Sequence, residues 1–465
     1  MKQLRKSVRV TTAILALMFI SIGIYFPYSV YFFGGRWFAR QYNPLIKYPG
    51  AVIRGDILDR KQTVLATTVD GNRAYAADES IRLAVAHVLG DEARNVKSGV
   101  ETFMASYLLG LNTNFITKIA QAFSIEPRRG DDVFLTIDAE LTAYIAGLFP
   151  SGAKGAAVMI DYSTGQIRAL TSLPSFDLTR GASGLTGDVL LNRATGRLYA
   201  PGSVFKVITY AAALENIPNA AELEFMCTGF LPVENSTIVE AGGATHGLVD
   251  IRRAFELSCN TTFSALALDL NYNNIEKTAR AFGFNEKTLF RDLMMEDGIY
   301  PVSHPDRGLD NLAQSGIGQG SVQTTPLQMA LAACAIANGG VMMEPRLLWF
   351  AKQPNQGNFP LGSSIYKRVM SSQNAAIIKD AMIGAVQDGT ASRFAIPGYV
   401  VGGKTGSAET SEDKSVPTHS WFIGFIDDMN HPLAICVLVE NGGAGSLVAA
   451  PIAQQAMVEA LRLGY

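Results

Sequence analysis

The chain has 465 residues, of which 48% are hydrophobic and 17% charged. That composition can fill two or three folded domains and excludes a disordered chain. A formal net charge of −2 leaves no electrostatic footprint for nucleic acid; with five histidines, four cysteines, no metal-ligand spacing and no HExxH, neither a metal site nor a cofactor is expected.

Four cations, Lys2, Arg5, Lys6 and Arg9, precede an uncharged run of 26 residues over positions 10–35. A helix needs about 20 apolar residues to cross the hydrocarbon core, so the run is long enough. A removable leader has an apolar stretch of only about 7–15 residues and ends on small side chains. This one ends on Tyr28, Tyr31, Phe32 and Phe33. Residues 10–33 are therefore expected to remain as a single transmembrane anchor behind a cytoplasmic tail, residues 1–9. Basic flanks stay inside, which puts the rest on the extracytoplasmic side of the cell membrane. Cys227, Cys259, Cys334 and Cys436 lack a short paired spacing and read as buried free thiols, although an exported chain also permits disulfides.

Residues 34–150 are mixed in character and are expected to form a small membrane-proximal domain. Gly55 and Asp56 mark a turn between short strands, and residues 81–89 and 104–119 space their apolar side chains as helices do. A second domain is expected over residues 151–465. Its first strands are 156–161 and 166–171, joined by the turn Ser163-Thr164-Gly165. Helical periodicity covers 204–214, 251–268, 275–282, 326–337 and 374–386. Strands return at 399–404, 420–426 and 433–439, and a last helix at 451–463. Strands at both ends with helices between them predict an α+β fold, with one antiparallel sheet assembled from remote segments and flanked by helices.

Three short motifs carry chemistry: Ser203-Val-Phe-Lys206, Ser258-Cys-Asn260 and Lys404-Thr405-Gly406. None is specific alone. SxxK recurs at Ser151, Ser364 and Ser411, SxN at Ser372, and Lys97-Ser98-Gly99 approximates the third motif. Context favours Ser203. Pro201-Gly202 turns the chain and an apolar helical run follows, so residues three apart share a face and Lys206 lies within reach of the Ser203 hydroxyl. Serine needs a neighbouring base to become a nucleophile, and lysine can serve. The plain alternative is Ser203 as a helix N-cap. Lys404 and Thr405 follow a strand-like stretch beside Gly402, Gly403, Gly406 and Ser407, where a substrate backbone could lie close and its carboxylate could be held. The main-chain N–H groups of Ser203 and Ser407 could form an oxyanion hole. Ser258 and Asn260 follow a helix end, where a hydroxyl could relay a proton and an amide could orient a peptide.

Together the motifs resemble those of penicillin-binding transpeptidases. The resemblance extends through Gly155 to Gly165, Asn192-Arg193-Ala194, Gly318-Gln319-Gly320 and Ala337-Asn338-Gly339-Gly340. Arg54 to Arg60 with Leu65-Ala66 is similar to the membrane-proximal part of the monofunctional, class B members. The resemblance implies a penicillin-binding/serine β-lactamase-like fold, an acyl-enzyme on Ser203, Lys206 as base, Ser258 and Asn260 as second-motif residues, and Lys404 with Thr405 as third. It further implies D,D-transpeptidation of peptidoglycan stem peptides ending in D-Ala-D-Ala, inhibition by β-lactams, and a separate glycosyltransferase partner. Two departures are mild: Cys259 fills the variable middle of the second motif, and Ser407 stands where threonine is commoner. A D,D-carboxypeptidase, a β-lactamase or a non-catalytic wall-assembly scaffold would share much of the pattern. A class A β-lactamase wants a glutamate after its nucleophile segment, whereas Asp188-Val-Leu-Leu-Asn192 precedes Ser203. Gly398 to Thr405 also fits a phosphate-binding loop, but Val400-Val401 reads as strand and no crossover helix follows.

Overall fold

The computed structural model describes residues 2–38, 52–93, 95–96, 98–111, 128–182, 184–185, 187–234, 236–288, 290–302, 308–352, 361–410 and 415–465. α1 (Lys2–Phe38) opens the chain, and within it Lys6–Ser29 is long and apolar enough to cross a membrane. A first five-stranded sheet follows. It contains β1 (Ile57–Leu58), β2 (Val64–Val69), β3 (Asn72–Tyr75) and β4 (Asp132–Leu135), and a fifth strand, Leu348–Lys352, joins β4 from far along the chain. Asp59 fixes the turn between β1 and β2. Its buried carboxylate accepts main-chain N–H bonds from Lys61 at 2.9 Å, Thr63 at 2.8 Å and Ala139 at 3.1 Å. α2 (Glu79–Leu89) starts on the Asp78 side chain and matches the helix read from residues 81–89. The helix expected at 104–119 is not found as such: two short helices, Val100–Phe103 and Ala105–Leu108, meet at Met104, and residues 112–127 lie outside the described residues. α3 (Ala139–Gly147) leads out of this unit.

The second sheet is assembled from both ends of the remaining chain. β5 (Gly155–Asp161) and β6 (Ile167–Leu173) form the expected hairpin, and β9 (Val401–Ala408), β10 (His419–Ile426) and β11 (Leu433–Val439) come last. The order is β9-β10-β11-β5-β6, antiparallel throughout. The central strands β5, β10 and β11 read as nearly continuous apolar runs because both faces are covered. Trp421, Ile423 and Phe425 of β10 and Ala434, Cys436 and Leu438 of β11 face one core; Phe422, Leu433, Ile435 and Val437 face the other. The first core is filled by α4 (Lys206–Asn216), buried from Lys206 to Ala213, and by α7 (Pro326–Ala337), whose residues are buried all round. A helix like α7 is apolar on nearly every side. It starts on the Thr325 side chain with Pro326 in its first turn, where proline has no N–H to lose. The second core is closed by α9 (Ala449–Arg462) and by Leu141 and Ile145 of α3.

The helix read over 251–268 is in fact two helices. α5 (Ile251–Glu256) stops, the chain turns at Ser258 and Cys259, and α6 (Asn260–Ala281) runs on through the segment 275–281 with a kink at Asn271, φ +60°. Two small antiparallel ribbons precede them: β7 (Glu224–Cys227) pairs with β8 (Gly247–Asp250), and Phe230–Val233 pairs with Ser236–Val239. α8 (Ser372–Asp388) lies beside β9.

Trp421 couples sheet and helix layer. It is fully buried, and its indole N–H donates to the Ala200 carbonyl at 3.0 Å, just before the Pro201-Gly202 turn. Trp421→Ala is expected to cost about 3–5 kcal/mol of stability through the cavity left behind. Trp421→Phe, which mainly orphans the Ala200 carbonyl, is expected to cost about 1–3 kcal/mol. Urea unfolding of the two variants against the unsubstituted protein measures both.

Candidate active site

Ser203 lies in a short turn of tight helix, Gly202–Phe205, that runs directly into α4. Neither helix start carries a side-chain cap bond, so the hydroxyl is not spent as an N-cap. The turn sits against the sheet edge. Gly202 has φ +58°, and a Cβ there would stand 2.8 Å from the Ser407 carbonyl oxygen of β9. Glycine is what permits both the backbone conformation and the approach.

The second motif is built from a helix ending. Cys259 N–H bonds the Ala254 carbonyl at 2.7 Å and Ser258 N–H bonds Phe255 at 3.0 Å, closing α5 with Ser258 at φ +60°. This is the Schellman arrangement, with Ser258 at the position that glycine usually takes. The reversal turns Ser258 and Asn260 back toward α4. Asn260 then opens α6, and its neighbours' free N–H groups find a remote partner. Glu240 accepts from Asn260 N–H at 2.9 Å and Thr261 N–H at 2.7 Å.

Lys206, Ser258, Asn260 and Lys404 meet in one hydrogen-bonded chain. Lys206 Nζ donates to the Ser258 carbonyl at 2.6 Å and to Asn260 Oδ1 at 2.8 Å, and lies 3.4 Å from Ser258 Oγ. Lys404 Nζ donates to Ser258 Oγ at 2.8 Å and to the Thr405 carbonyl at 3.0 Å. Asn260 Nδ2 donates to the Val239 carbonyl at 3.1 Å, which fixes the amide with its oxygen on Lys206. Both lysines are completely buried. Burial pulls Lys206 down to about 8, against an opposing pull from the Glu240 carboxylate. Burial, and then the charge of Lys206, hold Lys404 well below the ordinary lysine range. Burial alone would raise Glu240, but its hydrogen bonds from Asn260, Thr261 and Cys259 keep it below the usual glutamate range.

The third motif is not a loop. Lys404, Thr405, Gly406 and Ser407 all lie within β9, paired with Ile423, Phe422, Trp421 and Ser420 of β10, which removes the phosphate-loop alternative. β9 is the edge strand of its sheet. Thr405 Oγ1 donates to Thr390 Oγ1 at 3.1 Å, and Ser407 Oγ accepts from Gly445 N–H at 3.2 Å.

A profile of the penicillin binding protein transpeptidase domain matches residues 155–458. The chain belongs to the penicillin-binding transpeptidases. Peptidoglycan D,D-transpeptidase PbpA of Mycolicibacterium smegmatis is 33% identical over 379 residues, covering 75% of this chain and 76% of that protein. Among solved structures, the penicillin G acyl-enzyme complex of penicillin-binding protein A from M. tuberculosis is 31% identical with a TM-score of 0.76, covering 88% of this chain and 99% of that one. The D,D-transpeptidase domain of a peptidoglycan glycosyltransferase from Eggerthella lenta is 28% identical with a TM-score of 0.78, covering 89% and 99%.

Competing motifs in this penicillin-binding transpeptidase have structural occupations. Lys154, after Ser151, pairs with Asp188 at 2.6 Å. Ser364 donates to Glu344 at 2.7 Å, and Lys367 pairs with Glu286 at 2.7 Å. Ser372 begins α8. Ser411 and Lys97 lie outside the described residues. The sequence reading missed Glu240, which sits in a polar ribbon with no local signal. It also missed the anchoring of the segment before Ser203: Arg193 Nε and the Tyr199 hydroxyl both donate to Glu440 Oε1 at 2.7 Å, tying 193–199 to the residue after β11.

A serine at φ +60° carries steric strain worth about 1–2 kcal/mol that glycine does not. Ser258→Gly is therefore expected to unfold at higher urea than Ser258→Ala, with a difference of about 1 kcal/mol. Both lack the hydroxyl, so the comparison reads the backbone alone.

Proposed function

We propose that this protein is a serine D,D-transpeptidase that cross-links peptidoglycan stem peptides through an acyl-enzyme on Ser203. The observation that carries the reading is the buried lysine one helical turn from that serine. A neutral lysine has two N–H bonds, and Lys206 has two close acceptors, Ser258 O and Asn260 Oδ1. Satisfying both leaves the nitrogen lone pair free to take the Ser203 proton. Ser203 Oγ then attacks the carbonyl of the penultimate D-alanine, and the terminal D-alanine departs with a proton. Ser258 Oγ, held by Lys404 Nζ at 2.8 Å, is suited to pass that proton between Lys206 and the leaving amine. An acceptor amine from a second stem peptide then attacks the ester and restores the serine. Lys404 and Thr405 hold the donor carboxylate, and the N–H groups of Ser203 and Ser407 receive the oxyanion. The edge of β9 can take an extended peptide as an added strand, while Gly406 gives room to the turn that carries Ser203, where a Cβ would stand 3.1 Å from the Pro201 carbonyl oxygen.

The protein is expected to be anchored by α1 with the second sheet on the extracytoplasmic side, because the basic residues precede the apolar span. Residues 34–150 act as the membrane-proximal unit, residues 151–465 as the transpeptidase domain, and a glycosyltransferase partner supplies the glycan strand. Hydrolysis of the class A β-lactamase kind needs a carboxylate to activate water. Glu240, the carboxylate of this network, already has both oxygens engaged by the start of α6, which favours transfer to an amine.

The test is β-lactam acylation, followed by intact mass. Penicillin is expected to add once, on Ser203, and to leave Ser203→Ala untouched. Lys206→Ala should slow acylation by about 10²–10⁴-fold without unfolding the protein. Lys206 faces Lys404, Glu240 and Cys259, and its lowered pKa means the neutral base gains population as pH rises. The acylation rate should climb with pH and level off above about 8. A profile flat from pH 6 to 9 would remove Lys206 from the base role. The adduct should last hours, a barrier of about 23 kcal/mol, whereas release within seconds would make the protein a hydrolase.

A further inference from the structure

The sequence reading expected no metal site, yet the fold brings four ligand-type side chains together behind the second motif. Cys227 ends β7, His246 immediately precedes β8, Glu240 follows the ribbon strand Ser236–Val239, and Cys259 is the middle residue of the motif itself. Their Sγ, Oε and N ligand atoms all lie within 4.8 Å of one another. Cys227 Sγ is 3.4 Å from His246 Nδ1 and 3.6 Å from Glu240 Oε1, and Cys259 Sγ is 3.1 Å from the same carboxylate oxygen. Neighbouring corners of a tetrahedral zinc site stand roughly 3.4–3.8 Å apart, given bonds of about 2.3 Å to sulfur and 2.0–2.2 Å to nitrogen or oxygen. Cys227, Glu240 and Cys259 are buried and His246 is half-buried.

We propose that Cys227, Glu240, His246 and Cys259 bind one structural zinc ion. Two thiolates, an imidazole and a carboxylate select a borderline-soft tetrahedral cation over magnesium or calcium. The surroundings supply the outer hydrogen bonds such sites use. Asn260 and Thr261 N–H groups orient the carboxylate, and the hydroxyls of Thr261 and Thr262 lie 3.3 and 3.1 Å from Cys259 Sγ. Binding displaces the two thiol protons, so Zn²⁺ with two thiolates carries the charge of the two thiols it replaces. The net charge near Lys206 is then unchanged, and the ion acts as a clamp. It ties β7, β8 and the ribbon to the first residues of α6, where Ser258 and Asn260 are held in place.

The test uses the full chain in detergent, purified without chelator or added metal, and reads metal rather than acylation. Plasma mass spectrometry is expected to find about one zinc per chain, and Cys227→Ser and His246→Ala to lose at least tenfold of it. Calorimetry in two buffers of different ionisation enthalpy should report about two protons released per zinc bound. Because a ligand variant can misfold, the unsubstituted protein is also loaded with Co²⁺, which should give the thiolate charge-transfer band and intense visible bands of a tetrahedral site. Less than about 0.1 zinc per chain after anaerobic reconstitution would overturn the proposal. So would a weak octahedral cobalt spectrum, or a Cys227–Cys259 disulfide found by thiol titration in denaturant.

Discussion

One hydroxyl between two buried ammonium groups is the constraint around which this fold is arranged. Ser258 Oγ stands 2.8 Å from Lys404 Nζ and 3.4 Å from Lys206 Nζ, and neither lysine has any exposed surface. Two unit charges ~6 Å apart repel by roughly 3 kcal/mol at an effective dielectric near 20. Desolvation adds to that cost. The cheapest escape is for one lysine to give up its proton, and the hydrogen bonds decide what the neutral one does. Lys206 keeps two close acceptors, whereas Lys404 keeps the serine hydroxyl and a carbonyl. Burial therefore pulls both side chains toward the neutral form, with Lys206 brought to about 8 and Lys404, which also feels the charge of Lys206, held well below the ordinary lysine range.

Holding that pair demands rigidity from three directions. From the sheet comes Lys404, fixed by the eight-residue pairing of β9 with β10. From the helix layer comes Lys206, on a helix whose start is pressed on β9 through Gly202 and anchored through Ala200 to Trp421. From the α5–α6 reversal comes Ser258, in a conformation that costs energy and is enforced by the two closing hydrogen bonds of α5. Glu240 completes the set by satisfying the first N–H groups of α6 while lying close enough to Lys206 to offset part of its burial.

Much of this was legible in the sequence. Strands β5, β10 and β11 and helix α7 follow from nearly uninterrupted apolar runs, because elements buried on both sides leave a strong pattern, while α4, α8 and α9 follow from helical periodicity. The three motifs stood out once Pro201-Gly202 and the strand-like 399–401 set them apart from their duplicates. What failed was anything decided by hydrogen bonds at the ends of elements. The helix end before Ser258 was legible in the polar run 258–262, but helical periodicity on both sides of it also reads as one segment from 251 to 268, and the tight reversal itself is shown only by the closing geometry of α5. Glu240 and the grouping of Cys227, His246 and Cys259 depend on ribbons packing against a helix start, and no linear spacing encodes that meeting. The cysteines were read correctly as free and buried, but not as neighbours.

The second sheet has a consequence for how the protein is made. Gly155 pairs with Val439, and β5 reaches β9 only through β11 and β10. As the chain emerges from the ribosome, the β5–β6 hairpin, complete at Leu173, must wait for the chain to reach Leu433 before its partner strand begins. Ser203 and Lys206 are synthesised early, yet Lys404 cannot be presented to them until the last strands have threaded between hairpin and helix layer. Non-local pairing of this kind makes for slow folding with apolar edges exposed meanwhile. It also makes the active site all-or-none. A chain stopped short of β11 contains Ser203, Lys206 and Lys404 but has no strand through which β9 can reach the β5–β6 hairpin, and so the last third of the polypeptide acts as the safety catch on residues made in the first half.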